Sequence, residues 1–239
     1  MIRLIHRIRR KLMGTGKVRK YLAYAAGEIV LVVIGILIAL QINNWNEARK
    51  LSSALDSSLW EVREDLIQDT MELNRMIAIR KLDFESQKNV ISVLEGNQPL
   101  TNTLYADLAR VMLRRNVTLI RNGFDLIKEI GLSKLSNISL RNALVVYYNK
   151  NQVDVANEVS DDNYEFENVW LPYVREHFRE WDFDEIAIPV EDSFILKDTY
   201  LLTTLKTNMN NLNGMLNALE TAYFSASRLI QSIEAAIHP

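Results

Sequence analysis

Between Leu22 and Ile42 the chain reads LAYAAGEIVLVVIGILIALQI, 21 residues that carry a single charge. At about 1.5 Å per residue, a helix of this length matches the roughly 30 Å hydrocarbon core of a bilayer. The run holds twelve Leu, Ile and Val residues. Each favours insertion by about 0.3–0.6 kcal/mol, which together outweighs the roughly 3 kcal/mol that a central acid costs. Glu28, the one acid, lies toward one end, where the penalty is smaller. The segment therefore predicts a transmembrane helix. A cleavable signal peptide has a shorter apolar region, about 7–15 residues, followed by small residues at its cleavage site. Ala39-Leu40-Gln41 fits that pattern poorly, so the segment reads as an uncleaved signal anchor.

Charge gives the anchor a direction. Residues 1–42 hold eight basic side chains against one acid, leaving +7 there and −9 over residues 43–239. The positive-inside rule places residues 1–20 in the cytoplasm, residues 21–44 in the membrane and residues 45–239 on the far side. The apolar run directs the basic head to a membrane surface rather than to nucleic acid. Ile2, Ile5, Ile8 and Leu12 share one helical face, while Arg3, Arg7, Arg10 and Lys11 project elsewhere. That pattern predicts a basic amphipathic helix against anionic lipids, with Lys17, Arg19 and Lys20 completing the membrane-associating set. Gly14-Thr15-Gly16 would turn the chain upward into the span.

Within the span, Ala23, Gly27, Gly35 and Ala39 fall at multiples of four. A stripe of small residues lets two helix backbones approach closely, which makes it a candidate interface for a homo-oligomer or a membrane-complex partner. Glu28 and Gln41 are the intramembrane polar candidates, and interfacial pairing of Glu28 with Arg19 or Lys20 is the simplest role for it.

The run Gly27-Glu28-Ile29 through Asn43-Asn44-Trp45-Asn46-Glu47, or GEIVLVVIGILIALQINNWNE, resembles the signature of a family of bacterial single-pass inner-membrane proteins of unknown function. The likeness extends to Lys17-Val18-Arg19-Lys20-Tyr21 upstream, and loosely to Leu140-Arg141-Asn142-Ala143-Leu144 with Tyr147-Tyr148 downstream. The resemblance implies the bacterial inner membrane, with a cytoplasmic N-terminus and a periplasmic domain. It implies no activity and no catalytic residue.

Beyond the span the pattern is helical, and the chain reads as all-α: a basic amphipathic helix, one transmembrane helix and a bundle of long helices. No Gly or Pro occurs from Trp45 to Glu95, and Leu55, Leu59, Val62, Leu66, Leu73 and Met76 alternate by fours and threes. This predicts one long helix, possible as a continuation of the span, with Asp69 and Arg80 on its seam. Gly96-Asn97-Gln98-Pro99 ends it. Further helices are predicted over 103–115, over 120–130 closed by Gly131, from a Ser139 cap toward Val159, and over 162–181. Residues 182–198 read as irregular or extended. Residues 199–237 read as two helices, or one bent near Gly214.

Chemical motifs are scarce. The chain has no Cys and three His, and it lacks phosphate-binding loops, dinucleotide fingerprints and metalloprotease motifs. No catalytic residue, metal or cofactor is expected. The acids Glu158, Asp161, Asp162, Glu165 and Glu167 read as a solvated helix face, and Trp170, Tyr173, Phe178, Trp181 and Phe183 as core. The function that fits is a binding, scaffold or accessory subunit of a membrane assembly, not an enzyme. The alternative is an oligomeric channel with its spans around a central path.

Overall fold

The computed structural model describes residues 18–237, with side chains described from Lys20 onward. The expected amphipathic helix, with Arg3, Arg7, Arg10, Lys11 and Lys17, lies outside the described residues. The chain divides into two compact units, Met1–Ala54 and Leu55–Pro239.

Helix α1 spans Val18–Gly96 and belongs to both units. Its most apolar 18-residue window has a mean hydropathy of 2.5 and none of it is buried. By length and composition this helix is long and apolar enough to cross a membrane. At its far end, Asn97 adopts a positive φ of 46° and its N–H donates to the Leu94 carbonyl.

The second unit is built along the rest of α1. The buried seam predicted by the sequence is present, from Leu55, Leu59 and Val62 through Leu66, Asp69, Leu73, Met76 and Arg80. It continues at the same spacing through Asp83, Gln87, Val90 and Leu94. Against it pack α2 (Asn102–Val111) and α3 (Asn122–Ile130). Thr101 caps α2 by accepting from the Leu104 N–H at 3.3 Å. Gly131, at φ 107°, closes α3 in a conformation that a side chain would resist. Helix α2 ends four residues short of the predicted Arg115, because the chain beyond it turns its backbone N–H groups to carboxylates of other helices instead of to its own carbonyls.

The next helical stretch is uninterrupted from Ile138 to His177. It comprises α4 (Ile138–Val146), a π turn (Tyr147–Asn151), α5 (Gln152–Glu165), a second π turn (Phe166–Trp170) and α6 (Leu171–His177). Asn137, not Ser139, supplies the cap, accepting from the Leu140 N–H at 3.0 Å. The second π turn ends two residues before Pro172, which has no N–H to continue a regular ladder.

The all-α expectation needs one correction. Strands β1 (Phe178–Asp182) and β2 (Ile186–Pro189) form an antiparallel hairpin, with Trp181 opposite Ala187. The segment assigned to helix 162–181 therefore ends four residues early. The β-branched Ile186 and Ile188 favour the extended state of β2, against which residues 178–182 pair. A short helix α7 (Asp192–Ile195) leads into α8 (Thr199–Ile237), one continuous helix across Gly214.

The core is continuous around Leu104, Leu108, Trp170, Val174, Leu201 and Leu205. Burial of each such side chain contributes about 1.5–3 kcal/mol. Trp170, Tyr173 and Phe178 are buried as expected, but Phe183 is 63% exposed at the hairpin tip.

Candidate functional site

The seam of α1 holds four polar residues, and each is answered from a different part of the domain. Asp69 accepts from the Ile120 N–H at 2.8 Å, the Tyr147 hydroxyl at 2.6 Å and the Gln152 amide at 3.1 Å. Arg80 donates to Asp162 on α5 and lies 3.5 Å from Asp83. Asp83 receives both Nε and Nη2 of Arg115, at 3.0 and 2.8 Å. The Gln87 amide donates to the Leu205 carbonyl of α8 at 2.7 Å. Polar residues in an apolar seam satisfy their partners in one register only, so these four act as alignment marks.

Around them lies a network of charge. Arg115 also holds Asp184 through two bonds of 2.6 and 2.8 Å, and its backbone N–H donates to Asp162 at 2.7 Å. Burial works against the Arg115 charge, but the bonds from Asp184 and Asp83 outweigh it and hold the guanidinium protonated. The same contact with Arg115 depresses the Asp184 carboxyl. Asp162 and Asp69 are shifted the other way, since their loss of solvation exceeds what their donors return. Asp65, one turn before Asp69, accepts from the Gly123 N–H at 2.8 Å and is likewise raised by burial. The acids of α5 are thus only partly the solvated face that the sequence suggests: Asp162 and Glu165 turn inward, where Arg80 and Asn208 offer bonds that water would otherwise supply.

The second feature is a groove between α5 and α8. Its main cavity, about 460 Å³, is lined by Asp161, Tyr164 and Glu165 on one side and by Tyr200, Thr203 and Asn211 among others on α8. Asn208 and Asn211 both donate to Oε2 of Glu165, at 2.6 and 3.2 Å. Desolvation raises the Glu165 carboxyl, and these two amides oppose the shift. A smaller cavity, about 10 Å³ and shared with Asp161 and Asn211, is lined also by Arg80 and Glu158. That is room for about one water. The Arg80 Nε has no hydrogen-bond partner among the described residues. Gly214 admits the Glu158 carboxylate against the α8 backbone: a Cβ there would stand 3.0 Å from Oε1. The glycine that suggests a bend instead permits a close approach.

The residues singled out by sequence lie elsewhere. Ala23, Glu28, Gly35, Ala39 and Gln41 are all exposed along α1, as are Gly27 and Lys20. Arg19 is helical, and its side chain is outside the description. A Cβ added at Gly27 or Gly35 would meet nothing within 4 Å. At the end of the apolar stretch, the Asn43 amide donates to Glu47 at 2.9 Å, and the Arg49 guanidinium lies 5.5 Å from the Trp45 ring centre. Of the groove residues, sequence reasoning named Glu158, Asp161 and Glu165, as a solvated face, and missed those of α8. Their signal is Asn208, a polar residue inside the strict four–three repeat Leu201, Leu205, Asn208, Leu212, Met215 and Leu219, all buried. Among the described residues, no group of three or more His, Asp or Glu side chains could hold a metal ion.

The pattern of a family of unknown function, DUF6090, matches residues 28–166. No curated protein matches the chain, and no solved structure does.

Proposed function

Since the chain belongs to the DUF6090 family of unknown function, we propose a role from its own physical features: a single-span membrane protein that displays a helical binding domain. The apolar part of α1, none of which is buried, is the observation that carries this reading. In water such a surface would aggregate, and lipid is the solvent that suits it. Lys20 at one end and Trp45 with Arg49 at the other are suited to the two interfaces. With the basic residues of the N-terminal segment in the cytoplasm, the domain faces the periplasm of a bacterial inner membrane.

The domain supports a scaffold or accessory role. The polar side chains on the α1 seam serve internal alignment, and the open groove between α5 and α8 offers a place to bind. The exposed small-residue stripe of Ala23, Gly27, Gly35 and Ala39 supports self-association of the spans.

The test is topological. A reporter active only outside the cytoplasm, fused after Pro239, is expected to be active, and the same reporter fused before Met1 to be silent. The reverse pair of results defeats the orientation, and release of the chain from membranes by alkaline carbonate defeats the span.

A further inference from the structure

We propose that the cavity between α5 and α8 binds a small organic ammonium ion, seated against Glu165 and the rings of Tyr164 and Tyr200. The inference concerns the helical domain and does not depend on the membrane reading.

The cavity, at about 460 Å³, falls within the ~300–1,000 Å³ usual for small-ligand sites. Its charge has one sign: Asp161 and Glu165 line it, and no Lys or Arg does. Glu165 is held ready. Both asparagine amides donate to Oε2, and no hydrogen bond among the described residues reaches Oε1. A carboxylate fixed by neighbours and left with one open oxygen gives a cation a partner without a further ordering cost.

The aromatic pair sets the chemical class. Tyr164 is 71% exposed and Tyr200 is 55% exposed, so neither ring is used to fill the core. Tyr200 is oriented nonetheless, stacking at 5.9 Å on Tyr173, whose hydroxyl donates to Asp198 at 2.6 Å. Ring faces beside carboxylates suit an ammonium or quaternary amine, which gains from both the charge and the π systems. A bare metal ion would need a denser set of hard oxygens than these residues provide.

The small cavity that shares Asp161 and Asn211 with the main one is lined by Arg80, whose side chain is 4% exposed and whose Nε has no partner among the described residues. A buried donor of this kind calls for an acceptor. One water, for which that small cavity has room, would supply it, and the main cavity keeps a lining of one charge sign.

The experiment uses the full chain in detergent micelles, titrated calorimetrically with tetramethylammonium and ethanolamine, and with glucose as an uncharged polyol of similar reach. Saturable binding of the two ammonium ions and none of glucose is expected. Glu165→Gln should weaken that binding at least tenfold. Tyr200→Leu and Tyr164→Leu, at exposed positions that leave folding intact, should each weaken it several-fold. Asp125→Asn on α3 should leave it unchanged. The proposal is overturned if neither ammonium ion binds, if glucose binds as well as they do, or if both tyrosine variants bind like the parent.

Discussion

Single residues set the closest approach in this molecule. Gly123 opens α3 where its main chain meets α1, and a Cβ built there would lie 2.4 Å from the Val62 nitrogen and 2.8 Å from the Glu61 carbonyl carbon. Those are backbone atoms within a helix, which cannot yield as a flexible side chain would. The N–H of Gly123 is also the donor to Asp65. Gly123→Ala is therefore expected to destabilise the domain by about 3 kcal/mol, the upper part of the usual range for overpacking. A urea midpoint measured beside that of Gly27→Ala gives the contrast, because the latter adds its methyl to open space. Equal midpoints for the two variants would contradict the close approach of α3 to α1.

At the scale of an element, α1 is defined by its polar seam positions as much as by its apolar ones. Arg80 and Asp162 illustrate the coupling: one sits on α1, the other on α5, and each is largely withdrawn from water. Removing one partner alone strands the other, at a cost of about 3–5 kcal/mol. Arg80→Met is expected to show a loss of that order in chemical denaturation. Combined with Asp162→Asn, which keeps an oxygen for the Arg115 N–H, it should cost less than the two single losses added together. Strict additivity in that double-mutant cycle would mean the pair is not coupled.

For the whole molecule, the decisive contrast is between an apolar stretch of α1 with nothing buried and a domain with its own core. That core, with Tyr147, Phe124, Leu66 and Leu205 sealed from solvent, requires nothing from the apolar stretch. A chain produced from residue 45 onward is expected to be soluble and to give a circular dichroism spectrum dominated by helix. Its acidic surplus favours solubility as well. A strand-dominated spectrum, or a protein insoluble without the apolar segment, would count against an independent domain.

Periodicity and length were enough to read both the apolar stretch and the 45–95 stretch of α1 as helix, while their continuity was left open by the sequence. A long run without Gly or Pro, with apolar residues every three or four positions, has few alternatives to helix, and an unbroken apolar run has few solvents other than lipid. The helical class of the rest was legible for the same reason. Asp69 and Arg80 could be placed on the seam by counting, but their partners could not. Tyr147, Gln152 and Asp162 are 78, 83 and 82 residues further along the chain, and spacing carries no information across such distances. The role of Gly214, which meets the Glu158 carboxylate of α5, was decided by neighbours in space. It depends on which packing leaves buried polar groups paired and side chains in contact. The groove belongs to the same category: Asn208 stands out in the apolar repeat of α8, but its partner Glu165, 43 residues earlier, becomes part of a site only where α5 and α8 meet.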